Sequence, residues 1–200
     1  MTEQTTYRRH RRFTLRKAIR LITFVLSLVL GIAAYYHVGP LKRAAVQLQP
    51  GMYVVTHVND GDTIIVRGAG DVEETVRLLG VDTPEVKDPR KPVQCYGEVA
   101  SVHTKAAIPI GSGVRLAPDP DDTNRDKYGR LLRYVYLPDG TLYNAELIKD
   151  GFGFAYTVFD LTKLDEFKAL EQEARSAGRG LWGACNIDES KAIKQTTSSR

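Results

Sequence analysis

The fold is decided by residues 52–79, MYVVTHVNDGDTIIVRGAGDVEETVRLL, where β-branched and apolar runs are interrupted by two turn sequences. Three runs predict strands at Met52 to Val58, Thr63 to Val66 and Thr75 to Leu79, because Val, Ile and Thr favour a pleated backbone. NDGD and GAGD separate these runs, and Asp and Gly are typical turn residues. The stretch therefore predicts a three-stranded meander.

Two more strands follow a helix. Glu98 to Ile108 predicts a helix with Val99, Val102 and Ala106 on one apolar face, and Pro109 stops it. Val114 to Ala117 and Leu131 to Leu137 then predict the fourth and fifth strands. Five short strands with a helix after the third are typical of an OB-type barrel.

Two helices are predicted near the end of the domain. Asn144 to Lys149 is the shorter one, and Thr162 is expected to cap the longer one. Four residues at helical spacing give the longer helix one apolar stripe: Leu164, Phe167, Leu170 and Ala174. The predicted class is therefore α+β, mainly β, with about three helices around a five-stranded OB-fold barrel.

Charge is distributed unevenly along the 200 residues. Residues 1–43 contain nine Lys and Arg against Glu3 alone, so they carry +8 and the remaining 157 residues carry −4 of the net +4. The basic character therefore belongs to the N-terminal segment, and any binding of polyanions by the domain needs a local cluster of cations.

The N-terminal segment predicts a membrane anchor. Residues 1–20 are basic, and residues 21–41 contain no charged side chain, which is long enough to span a bilayer. The positive flank keeps the N-terminus cytoplasmic and exports the rest of the chain. A signal peptide cleaved near GIAAYY, followed by secretion, is the alternative. The anchor is favoured, because the apolar run is longer than a usual signal core.

The rest of the chain has a simple predicted layout. Residues 42–50 form a linker, residues 51–186 form the OB-fold domain, and the polar residues 187–200 form a disordered tail. On the exported side Cys95 and Cys185 could form a disulfide that ties the end of the domain to its first helix. Two separate thiols remain the alternative.

Four acidic residues lie in two turns of the predicted meander. Asp60 and Asp62 flank Gly61, and Asp82 and Glu85 follow the third strand in VDTPE. If both turns lie at one mouth of the barrel, Asp62, Asp82 and Glu85 can converge on one hard cation. Calcium prefers such oxygen ligands, and an open site leaves positions for water and substrate.

Two arginines accompany these acids. Arg77 precedes Asp82 on the third strand, and Arg130 ends DKYGR before the fifth. A cation, two guanidinium groups and a spare carboxylate are the groups that phosphoryl transfer requires. Separately, each motif is more often a plain turn or a structural ion pair. Their occurrence together, in this order, favours a catalytic site.

Five motifs in order resemble the thermonuclease, or staphylococcal nuclease-like, family: VNDGDTIIV, VRLLGVDTPE, CYGEVA, DKYGRLLRYVY and RGLW. The resemblance covers about Val54 to Trp182. It implies an OB-fold, calcium-dependent hydrolase that cuts DNA and RNA and leaves 3′-phosphates.

The resemblance also implies a role for each matching residue. Asp62 and Asp82 would bind calcium through their carboxylates and Thr83 through its carbonyl, while Arg77, Glu85 and Arg130 would be catalytic. Three further residues would contact the substrate: Lys127, Tyr128 and Tyr156.

The expected protein is thus a nuclease, an endonuclease or exonuclease, that acts outside the cytoplasm on DNA, RNA or both. It would be a monomer on a single-pass membrane anchor. The alternative is a membrane-anchored OB-fold module that binds nucleic acid without cutting it.

Overall fold

A computed structural model describes residues 23–29, 51–88, 92–189 and 195–198. The chain divides into two compact units, residues 1–47 and 48–200. In the first unit, the described part is helix α1, residues 23–29. Within the described ranges no helix is both long enough and apolar enough to cross a membrane. The predicted basic segment, most of the predicted anchor and the linker at 42–50 lie outside these ranges.

The second unit is built on a closed five-stranded barrel. Its strands in sheet order are β1, β2, β3, β6 and β5, and every neighbouring pair is antiparallel except β3 with β6. The strands of the unit are Met52–Val58 (β1), Thr63–Arg67 (β2), Glu73–Leu78 (β3), Val81–Asp82 (β4), Gly113–Ala117 (β5), Leu131–Tyr136 (β6), Phe154–Ala155 (β7), Cys185–Asp188 (β8) and Gln195–Ser198 (β9).

In the described part of this unit, four helices accompany the barrel: α2 (Gly97–Ala107), α3 (Tyr143–Lys149), α4 (Leu164–Ser176) and α5 (Leu181–Ala184). The five predicted barrel strands and the helix after the third strand are confirmed. The short pair β4–β7 and helix α5 were not predicted. The predicted disordered tail was wrong in part, because β8 pairs with β9 across the interval assigned to it.

The barrel interior is filled by aliphatic side chains from alternate strand positions. Fully buried examples are Val55, Ile64, Val66, Val76, Leu78, Val114 and Val135. Helix α4 packs on this core through Phe167, Leu164 and Leu170, as its apolar stripe predicted, and Ala174 is buried as well. Thr162 does not cap this helix: the N-cap residue is Lys163, and the Thr162 hydroxyl donates instead to Asp119.

Helix α2 packs differently from its prediction. Val99, Val102 and Ala106 face solvent, whereas Gly97, Ala100, Ser101 and Thr104 are buried. The helix packs closely through these small residues, and the Thr104 hydroxyl donates 2.8 Å to the carbonyl of Gly61. The buried face of α2 is thus the one that carries small residues and a side-chain hydrogen bond to the Asn59–Asp62 turn, and the apolar periodicity gave the wrong face.

A tight turn at Gly80 connects β3 to β4. Its φ of +69° lies in the left-handed region, and a Cβ there would lie 2.5 Å from the Phe167 ring. Glycine suits such a position because it has no Cβ. Beyond the turn, β4 pairs with β7, and the Asp82 side chain contacts the Arg77 guanidinium.

Candidate active site

The guanidinium group of Arg77 connects two acidic residues. Its Nη1 lies 3.2 Å from Asp62 Oδ2, and its Nη2 lies 2.8 Å from Asp82 Oδ1. The same group donates to the carbonyls of Leu78 and Val81. Only 15% of the Arg77 side chain is exposed, so the guanidinium is held rigidly at the end of β3.

The barrel backbone brings these three residues together. Arg77 is paired across the sheet with Thr63, which places Asp62 beside the end of β3. The amide and the hydroxyl of Thr83 both donate to Asp62 Oδ2, at 2.8 and 3.0 Å. The two turns that the sequence predicted to share one mouth of the barrel are therefore joined through Asp62.

Negative charge exceeds positive charge in this cluster. Burial, together with the neighbouring Asp62 carboxylate, raises the pKa of Asp60 to about 6. Burial alone would lower the pKa of Arg77, but the carboxylates of Asp62 and Asp82 outweigh that effect and raise it. Three acids thus share one guanidinium, and additional positive charge would stabilise the cluster.

The donor chemistry of the cluster fits calcium. Carboxylate and carbonyl oxygens are the ligands that this cation prefers, and Asp62, Asp82 and the Thr83 carbonyl are of that type. Among the residues that the structure describes, no three His, Cys, Asp or Glu side chains are grouped so that they could hold a metal ion by themselves. The expected convergence of Asp62, Asp82 and Glu85 on one cation was therefore wrong for the described residues, because Glu85 accepts the backbone amides of residues 86–88 instead.

A cleft of about 500 Å³ lies beside the cluster. Arg77 and Asp82 contribute to its wall. The segment 122–130 contributes most of the charged and aromatic lining: Asp122, Arg125, Asp126, Lys127, Tyr128 and Arg130. The cleft therefore brings together the two arginines that the sequence predicted to act on one phosphate.

Arg130 is held by one acidic residue of its own loop. Its Nε donates to Asp126 Oδ2 at 2.7 Å, and Asp126 Oδ1 accepts the amides of Tyr128 and Arg130. Burial raises the pKa of Asp126, but the hydrogen bonds from Arg130 outweigh it and leave that pKa below its usual value. The Arg130 carbon Cζ lies 5.5 Å from the centre of the Tyr128 ring.

The predicted substrate contacts line the same cleft. Tyr128 is 71% exposed, and Lys127 Nζ lies 5.1 Å from the centre of its ring. Tyr156 lines the cleft as well, and its amide donates to the carbonyl of Gly80. Aromatic rings beside cations suit a nucleic acid, whose bases stack and whose phosphates are negative.

Glu85 lies three residues beyond Asp82, outside the lining of this cleft. Its Oε1 accepts the backbone amides of Val86, Lys87 and Asp88 at 2.8–3.0 Å. Its own amide donates to the side chain of Gln94. The structure thus joins Asp62, Asp82, Thr83 and Arg77 directly, whereas Glu85 is connected to them through the turn at 83–85.

The two cysteines form a disulfide, so the alternative of separate thiols is wrong. Cys95 and Cys185 are bridged with their Cα atoms 6.0 Å apart, across 90 residues of sequence.

The sequence analysis missed two partners of the site, Asp126 and Gln94. Asp126 stands four residues before Arg130, so the DKYGR motif itself contained that signal, whereas nothing in the sequence pointed to Gln94.

Comparisons with known proteins agree with this geometry. The family described as Staphylococcal nuclease homologue matches residues 75–184, more than half of the chain. A thermonuclease of Staphylococcus intermedius is 39% identical, over 70% of this chain and 82% of the relative. A thermonuclease of Staphylococcus hyicus is 35% identical, over 81% of this chain and 94% of the relative.

An SPbeta prophage-derived endonuclease of Bacillus subtilis, YokF, is 42% identical over 70% of this chain. The chain spans about half the length of that relative, 51%, but most of the two thermonucleases. A closed barrel with an acid–arginine cluster beside a cleft that contains Arg77, Lys127 and Arg130 agrees with a phosphodiesterase class of domain. The chain belongs to the staphylococcal nuclease family, and its domain is that of a nuclease hydrolase.

Proposed function

We propose that this protein is a calcium-dependent nuclease that hydrolyses DNA, RNA or both outside the cytoplasm and leaves 3′-phosphate ends. The observation that carries the proposal is the position of Arg77. It connects Asp62 and Asp82 and also lines the cleft that contains Arg130. A phosphate in that cleft would be near both guanidinium groups and near the two carboxylates.

We assign substrate binding to the segment 122–130 and to Tyr156. Lys127 attracts the phosphate backbone, while the exposed ring of Tyr128 and the ring of Tyr156 can stack against sugar or base. Such contacts depend little on base identity, so they suit cleavage of many sequences. They would also hold a phosphate beside Arg77 and Arg130, which line the same cleft.

Calcium, held by Asp62, Asp82 and the Thr83 carbonyl, would supply positive charge that stabilises the phosphate oxygens in the transition state. The excess of acidic groups around Arg77 supports this assignment.

The protein's own groups account for the remaining steps. Three backbone amides fix Oε1 of Glu85, so we assign to Oε2 the acceptance of a proton from the attacking water. The new bond forms between that water oxygen and phosphorus, and the bond from phosphorus to the 5′-oxygen breaks. The 5′-oxygen takes a proton from solvent and leaves as a hydroxyl. Arg77 and Arg130 donate to the phosphate oxygens, and Arg130 also acts near the leaving 5′-oxygen.

Location outside the cytoplasm is part of the proposal. The charge-free run at 21–41 behind a basic flank supports an anchor with the domain on the outer side. The Cys95–Cys185 disulfide agrees with an oxidising compartment. Action as a monomer is likewise part of the proposal.

The full-length protein, purified in detergent, tests the proposal directly. Single-stranded DNA and RNA would be incubated with it in calcium, in magnesium or in a chelator. We expect calcium-dependent cleavage whose products become extendable by a polymerase only after phosphatase treatment. Binding without cleavage under all conditions would contradict the proposal and support a binding module. A Glu85→Gln variant as active as the parent would contradict the mechanism that the proposal assigns to Glu85.

A further inference from the structure

Gln94 holds the backbone of Glu85 by two reciprocal hydrogen bonds. The Glu85 amide donates to the Gln94 side-chain Oε1 at 2.9 Å, and the Gln94 amide donates to the Glu85 carbonyl at 2.9 Å. Gln94 lies nine residues along the chain from Glu85, so these bonds close a loop. The direction in which the Glu85 side chain leaves the backbone therefore depends on Gln94.

Gln94 is itself fixed by its neighbours. Cys95, the next residue, is bonded to Cys185 at the start of β8, and the Thr196 hydroxyl of β9 donates to the Cys95 carbonyl at 2.7 Å. Thr196 is buried against this contact. The hairpin β8–β9 and the disulfide thus hold the segment at 94–95 from the C-terminal side.

The start of helix α2 holds the same segment from the other side. The Gly97 amide donates to the Gln94 carbonyl at 3.1 Å. A Cβ at Gly97 would lie 2.8 Å from the Pro84 carbonyl and 3.2 Å from the Glu85 carbonyl. The helix start therefore packs directly under the turn that carries Glu85.

We propose that Gln94 is a positioning residue for Glu85, and that the Cys95–Cys185 disulfide keeps Gln94 in place, so that activity depends on the oxidised bridge. This inference rests on the proposed catalytic role of Glu85. The bridge lies outside the motifs of the Arg77 cluster. Cys95 is nevertheless adjacent to Gln94, and Gln94 contacts the backbone of Glu85. Misplacement of a reacting group by about 1 Å can cost on the order of 10²-fold in rate.

The dependence on oxidation follows from the same contacts. A dithiol such as dithiothreitol transfers two electrons and two protons to the bridge, which becomes two thiols, while the dithiol closes to its own disulfide. The segment at 94–95 then loses its covalent link to β8. The nuclease would be fully active in an oxidising compartment and less active where thiols are kept reduced.

The first test replaces the side chain of Gln94 in the full-length protein. Gln94→Met keeps the length of the side chain and removes the acceptor, and we expect kcat to fall about 10- to 100-fold with little change in KM. Gln94→Glu keeps an acceptor and should recover most of the loss. Gln172→Met, on the exposed face of α4, is the matched control and should leave kcat unchanged.

A double variant separates positioning from general stability. Because Gln94 acts through Glu85, adding Gln94→Met to a Glu85→Gln variant should not lower kcat further. The kcat of the single Glu85→Gln variant is the reference for this comparison. An unchanged kcat for Gln94→Met, or an additive loss in the double variant, would overturn the inference and leave the proposed function intact. A fully active Glu85→Gln variant would instead overturn the proposed function.

The second test reduces the bridge in the parent protein. We expect dithiothreitol to lower kcat and reoxidation with oxidised glutathione to restore it, with no effect on a Cys95→Ser/Cys185→Ser variant. Circular dichroism fixes a temperature at which the reduced protein stays folded. An unchanged kcat of the reduced protein at that temperature would overturn the role of the disulfide. If the reduced protein is unfolded at every temperature, the role is overturned as well, because the bridge then stabilises the whole fold.

Discussion

The two arginines of the cleft are held in opposite ways. Arg77 lies at the end of a barrel strand and contacts two carboxylates and two backbone carbonyls. Arg130 lies in a loop, and its side chain is 30% exposed and paired with Asp126. The comparison teaches that Arg77 belongs both to the fold and to the proposed chemistry, whereas Arg130 belongs to the proposed chemistry alone.

The largest effect is expected for Arg77→Met. Removal of the guanidinium leaves Asp62 and Asp82 without their shared cation, which should cost about 3 kcal/mol in the free energy of unfolding. The loss of a donor to the phosphate should also lower kcat at least roughly 10²-fold. Urea unfolding and initial rates of cleavage measure the two effects.

Arg67→Met is the matched control for that variant. Arg67 also lies on a barrel strand and pairs with Glu73, but its side chain is 43% exposed and lies outside the cleft lining. Its loss should cost less than about 1 kcal/mol and leave kcat unchanged. Equal destabilisation by the two variants would contradict the structural part of the Arg77 account.

Arg130→Met should separate activity from stability. We expect kcat to fall about 10²-fold, as for the loss of a transition-state donor, while the unfolding free energy changes by less than about 1 kcal/mol. The same urea and rate measurements serve here. A loss of stability as large as that of Arg77→Met would remove the distinction between the two arginines.

Asp126→Asn tests whether Arg130 needs its acidic partner. The amide oxygen can still accept the backbone N–H groups of Tyr128 and Arg130, but the charged bond to the guanidinium is lost. A bond of that kind contributes about 1.5 kcal/mol, so we expect about a tenfold lower kcat. In an Arg130→Met background the same change should have no further effect.

Asp119→Asn is expected to have the smallest effect, and on stability alone. Buried Asp119 accepts hydrogen bonds from Tyr134 and Thr162, which connect β6 to the segment before α4. Burial raises the pKa of Asp119, but these bonds outweigh it and leave the pKa below its usual value. Its carboxylate therefore stabilises the fold above the unfolded pKa, and that contribution is lost as pH falls through the folded pKa.

The gap in unfolding free energy between the parent and Asp119→Asn should thus be about 1 kcal/mol at neutral pH. It should close as pH falls below about 4. Cleavage at neutral pH should be unchanged, because Asp119 lies outside the cleft lining. A gap that widens toward low pH would contradict the assigned direction of the pKa.

Much of the fold followed from local patterns in the sequence. Strand β1 was predicted with its observed bounds, and the apolar stripe of α4 packs on the core as expected. The buried face of helix α2 was predicted wrongly, because it carries small residues and the hydrogen bond from Thr104 to Gly61 rather than the apolar side chains. Strands β4 and β7 have two residues each, too few to give a periodic signal.

The site was predictable where its residues lie in compact motifs. Asp62, Arg77 and Asp82 were identified from two turns and one strand, and the structure brings them into contact. The hydrogen bond between the Glu85 amide and the Gln94 side chain was not predictable, because the two residues are nine positions apart and are brought together by the folding of the loop between them. Contacts of that kind depend on tertiary packing, and a single sequence carries no local signal for them.

The central claim is that Asp82 and Glu85, three residues apart, have different roles, one as a calcium ligand and one as the catalytic base. Calorimetric titration of calcium into the parent, Asp82→Asn and Glu85→Gln, with cleavage rates measured on the same samples, tests it most directly. We predict that Glu85→Gln binds calcium as the parent does and cleaves at least roughly 10²-fold more slowly. Asp82→Asn should bind calcium at least about tenfold more weakly, because the site loses a charged ligand. Equal calcium affinity of the parent and Asp82→Asn, or parental activity of Glu85→Gln, would contradict the claim.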